Sequence, residues 1–432
     1  MNKICTVLLL LFIFSCSLDT KSGIWTQEKK IKVAKKNIIE VFEKEKILNN
    51  EINSNLRIKI KQTKNSDTKI KTLTNNLGIL DFNKNINKSS KFKFSKIKNF
   101  NYFEPEIAYD GQNFIFFDDK ANLLKFDSEF KSIWKENFYS KQEIKSKPIL
   151  TFAVENNFLV IADNIGKIYL VDTLSGKLIW AKINPNPFNS QLKVYKNKIY
   201  SIDINNILRC FSVKNGNELW KFKSENTFLK SNKRNSLIVD NGTVFFNNSL
   251  GDITAVNADN GKLVWQTPTQ SSDIYENAFG LVMSDLIIDN EDVIFSNNRN
   301  EFYSLNRNNG LINWKQNINS STRPISHEDL IFTFSNEGYF FILDKKTGNI
   351  IRSTDVFDNF KPKKRYKIKP VGFILGKEKI ILSTNNGRLL IIDVSDGRVS
   401  KILKIDNEKV SRPFVFNKSI ILVKNNSVIR LN

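Results

Sequence analysis

One short pattern recurs along the chain and limits what it can fold into. An apolar strand runs into Asp or Asn, a turn closes on Gly, and a second strand ends in Trp. Gly166 to Trp180 carries it with Asp172 and Gly176, and Ile207 to Trp220 with Val213 and Gly216. Gly251 to Trp265 repeats it with Asn257 and Gly261, and Glu301 to Trp314 with Asn306 and Gly310. Two later copies, Gly338 to Arg352 and Gly387 to Lys401, keep Asp344–Gly348 and Asp393–Gly397 but lose the Trp. An earlier copy, Asn122 to Trp134, keeps Asp127 and the Trp, but its turn is one residue shorter and lacks Gly. An Asp or Asn side chain bonds turn amides and Gly accepts positive φ, so each copy reads as a β-hairpin.

Further apolar runs precede each hairpin, such as residues 158–162, 198–202 and 243–246, and shorter runs such as 236–239 precede those. Each repeat therefore holds four strands. The hairpins end at positions 134, 180, 220, 265, 314, 352 and 401, in steps of 46, 40, 45, 49, 38 and 49 residues. Four strands at that interval are the spacing of a β-propeller. A Trp at a fixed place in each blade is most simply what docks one sheet on the next. Trp134, Trp180, Trp220, Trp265 and Trp314 are read as structural rather than as a row that stacks ligands.

Seven hairpins are complete, and three strands with no fourth follow Lys401 (residues 413–416, 419–423 and 427–431). The alternating stretch Phe92 to Ile97 precedes the first blade without a hairpin partner. It is expected to supply the missing strand. The prediction is an all-β, eight-bladed propeller over residues 89–432, closed by a strand at 91–97, so that the ring has no open edge.

The N-terminus reads as an export signal. Lys3 precedes an apolar run at residues 7–14, too short to span a bilayer, followed by Ser15 and Cys16. The Ile13-Phe14-Ser15-Cys16 stretch resembles a bacterial lipobox. That resemblance implies a signal peptide of residues 1–15 and a lipid on Cys16, with Ser17 pointing to the outer membrane. Residues 16–88 lie outside the repeat and are expected to form a basic tether. Helical spacing covers 28–48, and Ile58 and Ile60 alternate with basic residues as a strand would, ready to add to a sheet edge.

The net charge is +22, but residues 17–100 hold 20 Lys+Arg against 8 Asp+Glu, so more than half of the excess precedes the ring. A membrane is the nearest acidic surface there, and nucleic acid is not expected outside the cytoplasm. One histidine, His327, and three scattered cysteines argue against a metal centre or triad chemistry. Once Cys5 leaves and Cys16 is acylated, only Cys210 remains, in an apolar run that reads as core.

The repeats resemble the PQQ-type (quinoprotein) propeller repeat, and two families share it. Together, the lipobox, the eight inferred blades, the C-terminal stretch 418–431 and the preceding strand at 92–97 resemble the BamB family. That resemblance implies a non-catalytic scaffold without cofactor or metal, held by lipid on the periplasmic face of the outer membrane. It would be a monomer within a hetero-complex, docking on a BamA-like barrel-inserting protein and assisting unfolded outer-membrane proteins. The family's partner contacts correspond to residues 227–234, where Leu229 matches an apolar contact and Lys230, Lys233 and Arg234 lie close by. A further acidic contact region falls near Ser284 and Asp285. The alternatives are a periplasmic propeller that binds a small ligand, or a PQQ-dependent dehydrogenase. Against the latter, the adjacent cysteine pair common in that family is missing.

Overall fold

The computed structural model describes residues 50–60, 89–225, 233–269, 280–416 and 419–431, with Leu48 and Ile86. The signal segment, Cys16, the helical spacing over 28–47, Leu229 and Lys230 lie outside the described residues.

Eight four-stranded antiparallel sheets follow one another along the chain, an eight-bladed propeller. In blades 1 to 7, chain order is also spatial order. Blade 2, for example, runs Leu150–Glu155, Phe158–Asp163, Lys167–Asp172 and Leu178–Ile183. The first strands of blades 1 to 4 adjoin one another in turn and so line the centre of the ring. Middle strands are covered on both faces by neighbouring blades. This explains why Leu159 to Ala162 and Ile168 to Val171 are apolar without alternation and all buried. The outermost strand has no sheet beyond it, and Leu178 to Ile183 is largely exposed.

The third-to-fourth strand turns of blades 2 to 7 all close on a glycine, as blade 2 shows. The Asp172 carboxylate accepts the Ser175 amide at 2.7 Å, and the Gly176 amide donates to the Asp172 carbonyl at 2.9 Å. Gly176 has φ +74°. The next strand contains a bulge. Val171 pairs with Leu178 and Leu170 with Trp180, leaving Ile179 as an extra residue. Leu178 and Ile179 therefore both face outward, and Trp180 turns toward blade 3.

That Trp meets the turn glycine of the following blade. A Cβ on Gly216 would lie 2.6 Å from Trp180 Cε3, and one on Gly310 2.5 Å from Trp265 Cε3. Glycine is therefore needed twice over, for φ and for the indole. The ring nitrogens of Trp134, Trp180, Trp265 and Trp314 donate to Thr173, Val213, Arg307 and Lys345 carbonyls at 2.8–2.9 Å. Trp220 has no such bond. The equivalent carbonyl, Ala258, takes the Tyr200 hydroxyl at 3.0 Å, and Trp220 Nε1 is buried without a partner among the described residues.

Blade 8 is closed by the chain's two ends. Ser89–Lys93 pairs antiparallel with Ser427–Leu431, with Phe92 opposite Val428. The strand lies earlier than the 91–97 read from alternation. Residues 94–97 instead wrap the preceding turn, with the Phe94 amide donating to Asn426 O and the Ile97 amide to Asn425 O. Phe92 does for blade 8 what Trp does elsewhere, stacking on Phe126 of blade 1 at 4.2 Å between ring centroids. The glycine-free turn of blade 1 places Phe130 at φ +64° beside that stack.

If indole and glycine form one contact, Trp180→Ala should cost about 3 kcal/mol. Gly216→Ala should cost at least about 2 kcal/mol. Their double variant should lose clearly less than the sum. Urea unfolding of the three variants measures this; strictly additive losses would show that the two residues do not share an interface.

Candidate functional site

At the start of each inner strand the chain has just crossed from the rim of one blade to the centre of the next. Charged side chains gather at these crossings. Glu104 and Glu106 precede the inner strand of blade 1, Lys193 opens that of blade 3, and Lys233 and Arg234 precede that of blade 4. Asp285, Arg323, and the pair Lys409 and Arg412 take the corresponding places in blades 5, 6 and 8.

These groups bond across the ring. Lys233 Nζ lies 3.3 Å from Glu104 Oε1 and 3.9 Å from Asp285 Oδ1, and donates to the Ser321 carbonyl at 3.0 Å. Arg234 pairs with Glu106. Arg323 reaches Asp285 Oδ2 at 2.8 Å. Blade 4 is thereby tied to blades 1, 5 and 6. Burial opposes the charge on Asp285, but Arg323, Lys233 and Arg234 outweigh it and hold this carboxyl well below its usual range. Burial likewise raises Glu106, and Arg234 with Arg323 and Lys193 pulls it lower still. Burial pushes the Lys193 amine down to about 7, although Glu106 draws it the other way. Arg412 is driven down to about 9, by burial and then by Arg323.

Lys233 and Arg234, expected on a partner-facing loop, thus face the centre of the ring, their side chains 10% and 13% exposed. Ser284 and Asp285, the expected acidic contact region, are buried in the same place. Pattern reading could not foresee this, because the partners come from separate blades with no common spacing.

A second feature concerns blade 6, whose outer strand Ile350–Asp355 carries Arg352 where Trp is lost. The guanidinium is fully buried over Gly397 of blade 7. Its Nη1 donates to the carbonyls of Ser395 at 2.8 Å and Leu56 at 3.0 Å. Leu56 belongs to residues 50–60, read above as tether. They lie instead as a strap over blades 6 and 7. Ile52 bridges Ser353 in antiparallel fashion, Ile58 N donates to Ser395 O, Arg57 pairs with Asp396 at 2.9 Å, and Ile60 is buried in the core between the blades. Arginine in the place of Trp needs carbonyl acceptors that a neighbouring turn alone does not supply, and the strap provides one.

Cys210 is buried, and burial pushes its thiol up to about 12, the behaviour of a core residue. His327 sits on the inner strand of blade 6 with Glu328 at 3.9 Å. Among the described residues no group of three or more His, Cys, Asp or Glu stands as metal ligands do. The rim presents bare apolar side chains, including Ile179, Leu219, Val264 and Ile312, on the outer strands of blades 2 to 5.

The family profile described as outer membrane protein assembly factor BamB matches residues 120–354, just over half of the chain. Among solved structures, BamB from Moraxella catarrhalis superposes with a TM-score of 0.64 at 13% identity, over 79% of this chain and 100% of its own. Sqt1 from Saccharomyces cerevisiae gives 0.61 at 12% identity, over 82% and 100%. The computationally designed Ika8 protein gives 0.60 at 8% identity, over 79% and 100%. At such identities these likenesses concern the propeller fold. Among curated proteins nothing matches the sequence.

Two outcomes follow from this geometry. An unfolded lysine stays protonated to about pH 10, whereas folded Lys193 does so only to about 7. The unfolded chain therefore binds more protons across that window, and stability should rise with pH through it. The stability of wild type minus that of Lys193→Met should climb between pH 7 and 10; a flat difference would mean an ordinary amine. Arg352→Ala should cost about 3 kcal/mol and free the strap. Trypsin should then cut after Arg57 at least about tenfold faster, with unchanged cleavage showing that the strap holds without Arg352.

Proposed function

The chain belongs to the outer membrane protein assembly factor BamB family, and from that premise we propose that it is a non-catalytic scaffold in outer-membrane protein assembly. In this reading it is exported and lipidated at Cys16. It sits on the periplasmic face of the outer membrane, docks on a BamA-like barrel-inserting protein and assists unfolded outer-membrane proteins. The observation that carries the proposal is the family match itself, which runs from blade 1 to the outer strand of blade 6 and includes the link between blades 3 and 4.

The architecture supports such a role physically. A ring tied at every junction presents its loops and rim with little ordering to lose on binding. A lipid on Cys16 would raise the local concentration at the membrane without adding any contact. Within residues 226–232, Leu229 and Lys230 are the proposed contacts, an apolar anchor beside a cation. Lys233 and Arg234 act one step back. Their ion pairs to Glu104, Glu106 and Asp285 anchor the C-terminal end of that link to the ring, which makes them positioning residues.

Affinity capture of the full chain in mild detergent tests the reading. A barrel-inserting subunit should co-purify with wild type, and Leu229→Asp with Lys230→Glu should weaken its capture about tenfold or more. Cys16→Ser should move the chain from the membrane to the soluble fraction. If no assembly subunit co-purifies with wild type, the scaffold role fails.

A further inference from the structure

Between blades 6 and 7 the chain runs Lys361-Pro362-Lys363-Lys364-Arg365-Tyr366-Lys367-Ile368-Lys369, six cations in nine residues with no acid among them. Pro362 opens a short helix, Pro362–Arg365, where its fixed φ fits and its missing amide costs nothing. Two contacts pin the segment to the ring. Ile368 is buried in the core between the two blades, and Arg365 pairs with Asp355 at 2.7 Å. The rest faces outward. Lys361, Lys363, Lys364, Lys367 and Lys369 are exposed, and Tyr366 is 66% exposed. Among the described residues, Arg365 is the one cation of the six that pairs with a carboxylate.

The strap lies beside this segment. Asp355, whose carboxylate takes Arg365, donates its amide to Glu51 Oε1 at 3.2 Å, and Ser353 Oγ donates to the Asn50 carbonyl at 2.9 Å. At the other end of the strap, Ile60 shares the core that holds Ile368. The chain coming from Cys16 therefore joins the ring next to six closely spaced cations. Like charges at this spacing repel one another, and the adjoining sequence does little to offset them. Residues 17–49 hold eight lysines against five acids, and residues 61–88 six lysines against two. Asp358 lies three residues ahead of the segment, and the link 270–279, with Asp273 and Glu276, joins blades 4 and 5.

We infer that residues 361–369 are a docking surface for a phospholipid membrane with anionic headgroups, the outward lysines lying over the phosphates and Tyr366 among the headgroups. The inference rests on the scaffold reading for the lipid at Cys16, which brings the ring to a membrane. The basic segment then decides which side of the ring faces it. Each lysine held near an anionic surface strengthens binding by about fivefold. Tyrosine, with an apolar body and a polar tip, suits the boundary between headgroup and acyl chain. A segment already fixed by Ile368 and Arg365 has little order to lose on binding. Lysine is depleted from protein interfaces, whereas lysine clusters are what anionic headgroups attract, so the membrane fits this surface better than an acidic protein does.

The test removes the lipid so that the surface alone is read. The full chain carrying Cys16→Ser is co-sedimented with phosphatidylcholine vesicles, with and without phosphatidylglycerol. The anionic vesicles should bind at least about tenfold more tightly than the neutral ones, and added salt should weaken that binding. Lys361→Gln, Lys363→Gln, Lys364→Gln and Lys367→Gln together should weaken it at least about tenfold. The same change at Lys177, Lys182, Lys223 and Lys262, exposed in the outer hairpins of blades 2 to 4, should weaken it less than about twofold. If the quadruple variant does not fold, Lys363→Gln with Lys364→Gln carries the comparison, with a loss of at least about threefold. The surface is overturned if both kinds of vesicle bind alike, or if the two sets of substitutions lose equally. It is equally overturned if the segment's lysines matter for capture of an assembly subunit and not for vesicles, which would name an acidic protein instead. Capture of that subunit by wild type is a separate readout, so the scaffold role and this surface fail separately.

Discussion

The ring depends on a contact between an indole and a residue with no side chain. In each of blades 1 to 5 the outer-strand Trp lies over the turn glycine of the next blade, and the glycine is also the residue whose positive φ closes that turn. One position thus sets the hairpin and the angle between sheets together. The bulge before each Trp completes the device, because without the extra residue the indole would point along the rim. Propeller stability is then a sum of junctions, each built from residues about 40 apart in sequence, and the fold can tolerate wide variation elsewhere. That is consistent with superposition over entire propellers at 8–13% identity.

Where the indole is missing, the chain finds other solutions, and two of them draw on the segment ahead of the ring. Phe92 enters blade 8 with the closing strand and stacks on Phe126, so the last junction is made by an aromatic from the opposite end of the chain. Arg352 replaces Trp in blade 6 and is satisfied in part by Leu56 of the strap. Blade 7 carries Lys401 at this place, exposed, and its junction with blade 8 rests on aliphatic packing of Ile374, Ile381 and Leu389 against Val415, Ile420 and Leu422. The residues before the first blade therefore include structural parts of the ring as well as the chain between it and the N-terminus.

What the sequence made legible follows from how local each interaction is. Hairpins, their glycines and the four-strand period were readable because every participant lies within about 15 residues of the next. The number of blades followed from a count of strands. The closing strand was placed late because alternation continues past Lys93 to Ile97, although the ladder ends where residues 94–97 begin to follow the turn at 425–426. Ile58 and Ile60 were expected to add to a sheet edge as a strand, but Ile58 bonds the carbonyl of Ser395 in a turn and Ile60 enters the core between blades, and nothing nearby signalled that Arg352, almost 300 residues away, lies beside them. The charges at the ring's centre left no pattern at all. They come from crossings in six blades, and each looks like an ordinary basic or acidic residue in a loop.

This last point changes how the basic character of the chain is to be understood. Lys233 and Arg234 belong to a basic run expected to face a partner, yet they are among the less exposed cations in the ring and hold blade 4 to blades 1, 5 and 6. Charge in the propeller is therefore of two kinds. Rim lysines such as Lys182 sit in water, where they are screened and add little to stability. The central cations sit in a medium that screens them poorly, so each interacts strongly with its neighbours. A framework already secured at its junctions by indole, glycine and buried strands can hold such charges close together. The stability of the junctions is what permits an electrostatically demanding centre.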